Sequence, residues 1–151
     1  MHVKWISFLL LTAASLLALT AHAQDTASFK DIGDHRIYFS VFNSHFLPPE
    51  AASGYGFVRA KDRGIINIAV THKDAGGLSR GLPVRLKGSA ANLLQQVTDL
   101  TFVEVDEGDA VYYLAEFTFP DREVLNFTIH ILRPEERYSD TIEFAKTLYH
   151  D

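Results

Sequence analysis

Hydrophobic and polar residues alternate with a period of two along most of the chain, as they do in half-buried strands. Ile37, Phe39 and Val41 share one face of 36–43, and Ile66, Ile68 and Val70 share one face of 65–71. In 82–88, Leu82, Val84 and Leu86 lie opposite Arg85 and Lys87, and in 123–133 the apolar face is Leu125, Phe127, Ile129 and Ile131. The segment 110–119 differs, being apolar on both faces: Val111, Tyr113, Ala115, Phe117 and Phe119 on one, Tyr112 and Leu114 on the other. Such a strand belongs inside a sheet covered on both sides, or it borders a groove. In 140–149, Ile142 and Phe144 alternate with Thr141 and Glu143, which predicts a final strand. A helix competes there, because Asp140 and Glu143 resemble a capping pair and Ile142, Ala145 and Tyr149 fall near helical spacing.

Turn residues punctuate these stretches. Ile32-Gly33-Asp34-His35 closes a hairpin spanning Ser28 to Phe42, and Asp106-Glu107-Gly108-Asp109 and Pro120-Asp121 supply two more turns. These last two join segments near 99–106, 110–119 and 123–133 in an expected antiparallel meander. Seven or eight short strands at this spacing predict an all-β fold, an antiparallel two-sheet β-sandwich of immunoglobulin-like kind.

One stretch interrupts the alternation: NSHFLPPEAASGYGFVRA, Asn43 to Ala60. Pro48-Pro49 ends strand geometry, and a short helical turn is expected near 48–54, released at Gly54. The expected role of the stretch is a crossover between the two sheets, pinned by Tyr55 and by an Arg59 that is satisfied by Glu50 or loop carbonyls. Loops of this length in a compact domain are otherwise often functional, so a recognition surface is the competing reading.

The N-terminus changes the picture. Lys4 precedes an apolar run from Ile6 to Leu19, and Ala21-His22-Ala23 precedes Gln24, the layout of a secretory signal peptide spanning 1–23. The run is shorter than the roughly 20 residues a bilayer span requires, so no transmembrane anchor is expected after cleavage. The remaining 24–151 form a single domain, and loss of Lys4 takes the net charge from −5 to −6. A nucleic-acid partner is excluded, because phosphate backbones require clustered positive charge. The chain has no cysteine, hence neither a disulfide nor a thiolate metal site, which suits a periplasmic domain that relies on its core.

Candidate chemistry is sparse. Gly77-Leu78-Ser79-Arg80-Gly81 matches G-x-S-x-G, and Asp121 and His130 follow in hydrolase order. A nucleophile elbow needs a strand before the serine and a helix after it; here a glycine-rich loop precedes it and a strand follows. The histidines His35, His45, His72, His130 and His150 show no local zinc spacing, although His35, His72 and His130 would converge if their strands were neighbours. Glu104, Asp106, Glu107 and Asp109 surround a turn without the spacing of a calcium loop. No metal or other cofactor is expected. Asn92-Leu93-Leu94-Gln95-Gln96 places three amides around two leucines, either as loop-bonding amides or as a polar ledge for a peptide or sugar.

Several of these residues together form a recognisable pattern. Ser44-x-Phe46-Leu47-x-Pro49-x-x-Ala52-x-x-Tyr55-x-x-x-Arg59, Ile66-Asn67-Ile68-Ala69-Val70, Ala91-Asn92-Leu93-Leu94-x-Gln96 and Ala110-Val111-Tyr112-Tyr113-x-x-x-Phe117 resemble the domain of unknown function 4426 family, from about Phe29 to Tyr149. The resemblance implies an exported proteobacterial protein in the periplasm and supplies no catalytic residue.

The expected function is therefore a non-catalytic binding or accessory module. It would recognise an envelope protein or a small ligand through Asn43, His45, Tyr55, Arg59, Asn92 and Gln96, or through a sheet edge. The alternative is a small envelope hydrolase or metal-dependent enzyme using His130 or His72 with nearby acids.

Overall fold

The computed structural model describes residues 28–73, 81–132 and 139–150. The expected signal peptide, the serine of the G-x-S-x-G match and the segment 133–138 lie outside them. Strand is the dominant conformation. The strands are β1 (Ser28–Ile32), β2 (His35–Asn43), β3 (Arg63–His72), β4 (Arg85–Ala91), β5 (Val97–Leu100), β6 (Val103–Asp106), β7 (Val111–Thr118), β8 (Glu123–Leu132) and β9 (Ser139–Leu148). Between β2 and β3 come a single 3-10 turn, Ser44–Phe46, and one helix, α1 (Pro49–Tyr55).

All pairings are antiparallel, and they form two sheets ordered β1-β2-β3-β7-β6 and β5-β4-β8-β9. The alternating apolar faces read from the sequence close against each other: Ile37, Ile66, Ile68 and Val70 from the first sheet meet Phe127, Ile129, Ile131 and Ile142 from the second. Phe39 stacks on Phe144 with ring centroids 4.4 Å apart, and Phe144 stacks on Phe127 at 5.1 Å. The Tyr113 hydroxyl accepts a bond from the Val84 N–H (2.8 Å) and donates to Glu104 (3.0 Å). Burial raises the pKa of that phenol; the bond to Glu104 adds to the rise and the bond from the Val84 N–H opposes it.

The β1–β2 hairpin turns at Gly33-Asp34 as expected, and the final segment is the strand β9. The expected meander breaks in two places. Segment 99–106 is not one strand: β5 pairs with β4 in the second sheet, the chain crosses at Thr101-Phe102, and β6 pairs with β7 in the first. Pro120-Asp121 is likewise a crossing from β7 to β8 and not a hairpin. Both switches place the apolar sides of consecutive segments on opposite walls of one core, a layout a flat meander cannot produce. The split of 97–106 also raises the strand count to nine among the described residues.

β7 is covered on both sides, as its two apolar faces require. Val111, Tyr113, Ala115 and Phe117 face the main core, while Leu114 joins Ile65 and Val105 in a smaller cluster on the outer face of the first sheet. The cover over that cluster is the interrupting stretch, whose Leu47, Tyr55 and Phe57 pack onto it. Asn43–Ala60 therefore does not cross between sheets: it links two strands that are neighbours in one sheet and folds back over their outer face. The helix runs past Gly54 and ends at Gly56, whose φ of +75° is a left-handed conformation open to glycine.

Candidate functional site

The register brings the two candidate segments to the same end of the sandwich. Asn43 pairs with Gly64 and Arg63 with Thr118, and Thr118 lines a cleft together with Asn92 and Gln96. That cleft, about 160 Å³, is also walled by Phe117, Pro120 and Glu123.

In the Asn43–Ala60 cap, polar side chains are turned inward to hold backbone. Asn43 continues the inward parity of Ile37 and Val41 and is buried. Its Nδ2 donates to Lys61 O (2.8 Å), and its Oδ1 accepts from the His45 N–H (3.2 Å) and lies 2.7 Å from His45 Nδ1. Ser44 is fully buried; its Oγ donates to Ala60 O (3.2 Å) and accepts from the Ala60 N–H (3.0 Å). On the far side, Glu116 of β7 accepts from the Val58 N–H (2.6 Å) and pairs with the Arg63 guanidinium. The cap is thus fastened at both margins, with Tyr55 half-buried beneath it. Arg59 is exposed, and its guanidinium donates to His45 O (2.8 Å), not to Glu50.

The β4–β5 connection is organised by a single residue. Asn92 Oδ1 accepts from the N–H groups of Leu94 (3.0 Å) and Gln96 (2.9 Å), while Asn92 Nδ2 donates to Gln96 Oε1 (2.7 Å). Backbone bonds from Asn92 N–H to Gln96 O (3.1 Å) and from Gln95 N–H to Asn92 O (2.9 Å) close the loop, with Gln95 at φ +61°. The Asn92 amide and Gln96 Oε1 are thus engaged within the loop, as the loop-bonding reading expected, while both residues also line the cleft.

Beside exposed polar residues such as Glu50, Arg59 and Gln95, the two segments present large apolar side chains outward. Phe46 is 65% exposed and Val58 50% in the cap; Leu93 is 67%, Leu94 79% and Val97 63% exposed at the hairpin tip. None of these side chains is among the candidate residues that the sequence pattern singles out. The available signal was the pair Leu93-Leu94 inside a turn, where solvated residues are the rule.

His72 and His130 do not come together, since their strands lie in different sheets. His130 lies on the outer face of β8, its Nδ1 2.9 Å from Thr141 Oγ1, whereas His72 lies on the inner face of β3 in the other sheet. His45 packs on Phe46 (4.3 Å between centroids), and a ring nitrogen of His150 is 2.9 Å from Phe119 O. His35 and His72 stand opposite each other across β2 and β3. Among the described residues, no three His, Cys, Asp or Glu side chains gather as a metal site. In the acidic turn, Asp106 Oδ1 accepts from the Gly108 N–H (2.8 Å), an ordinary turn bond. Asp121 accepts from the His150 N–H (2.9 Å), and that bond, first among its influences, lowers its carboxyl pKa.

A depression of about 250 Å³ on the outer face of the first sheet lies beside Tyr38, Asn67, Ala69, Thr71 and Tyr112. Asn67 Oδ1 is buried without a hydrogen-bonding partner among the described residues, and solvent entering such a depression is the usual donor for an acceptor of this kind.

The family described as "Domain of unknown function (DUF4426)" matches residues 29–151. A crystal structure of a DUF4426 family protein from Pseudomonas aeruginosa PAO1 is 35% identical, with a TM-score of 0.73, covering 83% of this chain and 96% of that one. FetP of uropathogenic Escherichia coli, recombinantly expressed in the periplasm, aligns at a TM-score of 0.60 and 11% identity over 82% of this chain and 93% of its own. A copper-bound variant of FetP aligns at 0.61 and 12% over 81% and 94%. At those identities the FetP likeness is one of fold. No curated protein matches the chain.

Proposed function

The chain belongs to the DUF4426 family, and from that premise we propose that it is an exported, non-catalytic binding module that recognises an envelope protein through the end of the sandwich bearing Asn43–Ala60 and Asn92–Val97. The observation that carries the reading is the hairpin tip, where Leu93, Leu94 and Val97 are each more than half exposed on a loop fixed by Asn92. Apolar side chains held out on a pre-ordered backbone lose little entropy when covered, and protruding anchors of this kind suit a groove on a partner protein. A small ligand would call for the converse, a deep concave site with converging polar groups. Asn43 and Asn92 act as braces in this reading, and Phe46, Val58, Leu93 and Leu94 take over the contact role. Export by a signal at 1–23 and a mature domain starting at Gln24 complete the proposal; among the described residues no helix is long and apolar enough to cross a membrane.

The test places a photo-reactive phenylalanine analogue at Leu94 and irradiates cells carrying the protein. A discrete adduct in the periplasmic fraction, lost on Leu93→Ser in a protein that melts like the wild type, is the expected result. Irradiation of a folded protein that yields no adduct at Leu94 or at Phe46 would sink the proposal.

A further inference from the structure

His35 and His72 are direct partners in the β2–β3 register. The Lys73 N–H donates to Asp34 O (2.8 Å) just beyond them, which makes theirs a non-hydrogen-bonded pair. At such pairs the Cα atoms approach to about 4.5 Å and side chains come closest. The ring centroids are 5.1 Å apart with planes inclined by 33°. By strand parity both rings share the inner face with Ile37 and Val70, one step toward the rim; His35 is 9% exposed and His72 is open to solvent.

From this geometry we propose that His35 and His72 form a bidentate site for a late first-row divalent cation of the Cu²⁺, Ni²⁺ or Zn²⁺ type. Imidazole nitrogen is a favoured donor for these ions, and the chain offers no thiolate to compete. A metal–nitrogen bond of about 2.0–2.1 Å puts each ring centroid about 3.2 Å from the ion, so ligand angles from about 90° (tetragonal Cu²⁺ or Ni²⁺) to tetrahedral (Zn²⁺) separate the centroids by about 4.5–5.2 Å. The observed 5.1 Å lies within that range, so the β2–β3 register already holds the two rings at a chelating separation. Among the described residues, no third His, Cys, Asp or Glu completes a group. Both residues already take part in interactions within the fold, and with only two protein ligands the expected affinity is micromolar rather than nanomolar. The bound ion would staple β2 to β3 at the end of the sandwich remote from Asn43–Ala60.

The experiment titrates untagged protein beginning at Gln24, which spans every described strand, with Cu²⁺ by calorimetry and records electron paramagnetic resonance spectra of the one-to-one sample. The expected result is one saturable site with coupling to two nitrogens, weakened at least tenfold in His72→Ala and unchanged in His130→Ala. Cu²⁺ should also raise the melting temperature of the wild type and leave that of His72→Ala unmoved. His72 is exposed, so its variant should keep the fold; His35→Gln provides a second arm. Affinity unchanged in His72→Ala, or no saturable binding by folded wild type in millimolar Cu²⁺, overturns the proposal.

Discussion

Asn43 and Asn92 carry out the same local chemistry at the same end of the molecule. Each accepts backbone N–H bonds on Oδ1 and spends its Nδ2 on a nearby carbonyl-type oxygen. They differ in what is held. Asn43 is buried and ties β2 to Lys61, across a connection eighteen residues long, while Asn92 closes only its own turn in half-exposed surroundings. The same side chain therefore stabilises tertiary structure in one place and local structure in the other. The difference is burial: without the amide, water replaces bonds at a surface turn and cannot do so beneath a packed cap.

The comparison is sharpened by substitutions, starting with the largest effect. Asn43→Ala should destabilise the domain by about 2 kcal/mol or more, because it strands buried donors and acceptors at the margin of the cap. Chemical denaturation with the slope held constant would measure this, and a loss no larger than that of a surface residue would break the contrast. Asn92→Ala should cost about 1 kcal/mol or less in the same assay while loosening the tip, visible as faster amide exchange at Leu94 and Gln96. A global loss equal to that of Asn43→Ala would show that the hairpin is part of the cooperative core. The smallest effect belongs to Arg59→Ala, which removes one exposed bond to His45 O and should change stability by no more than about 0.5 kcal/mol. A larger loss would restore Arg59 as the pin that the sequence reading expected.

Leu114 and Phe117 of β7 show a second contrast on one strand. Phe117 closes so tightly on β3 that a Cβ at Gly64 would collide with its ring, whereas Leu114 lies under the folded-back cap. The main core is sheet on sheet; the outer cluster exists because one irregular connection lies down on it.

The alternation in β2, β3, β8 and β9 was legible because period two is a local property: each apolar residue marks its own face whatever the partner strand. By the same parity, Asn43's burial was readable, since it extends the inward row of Ile37 and Val41. The two-faced apolar pattern of β7 correctly announced a covered strand, and Pro48-Pro49 correctly announced a break before a short helix.

Other features became fixed only when the sheets closed. Thr101-Phe102 and Pro120-Asp121 look like ordinary turns in sequence, and the fold makes them crossings because each following segment finds its pairing edge in the opposite sheet. The cap's position over Ile65 and Leu114, the exposure of Arg59, and the meeting of His35 with His72 over a separation of 37 residues depend on long-range register. The sequence by itself determined where most strands lie and which face each buries, because those follow from local backbone geometry and hydrophobicity; the split of 97–106 was not among them. The tertiary structure decided which strands are neighbours and therefore which side chains meet, because that choice is made by the total burial of the whole chain.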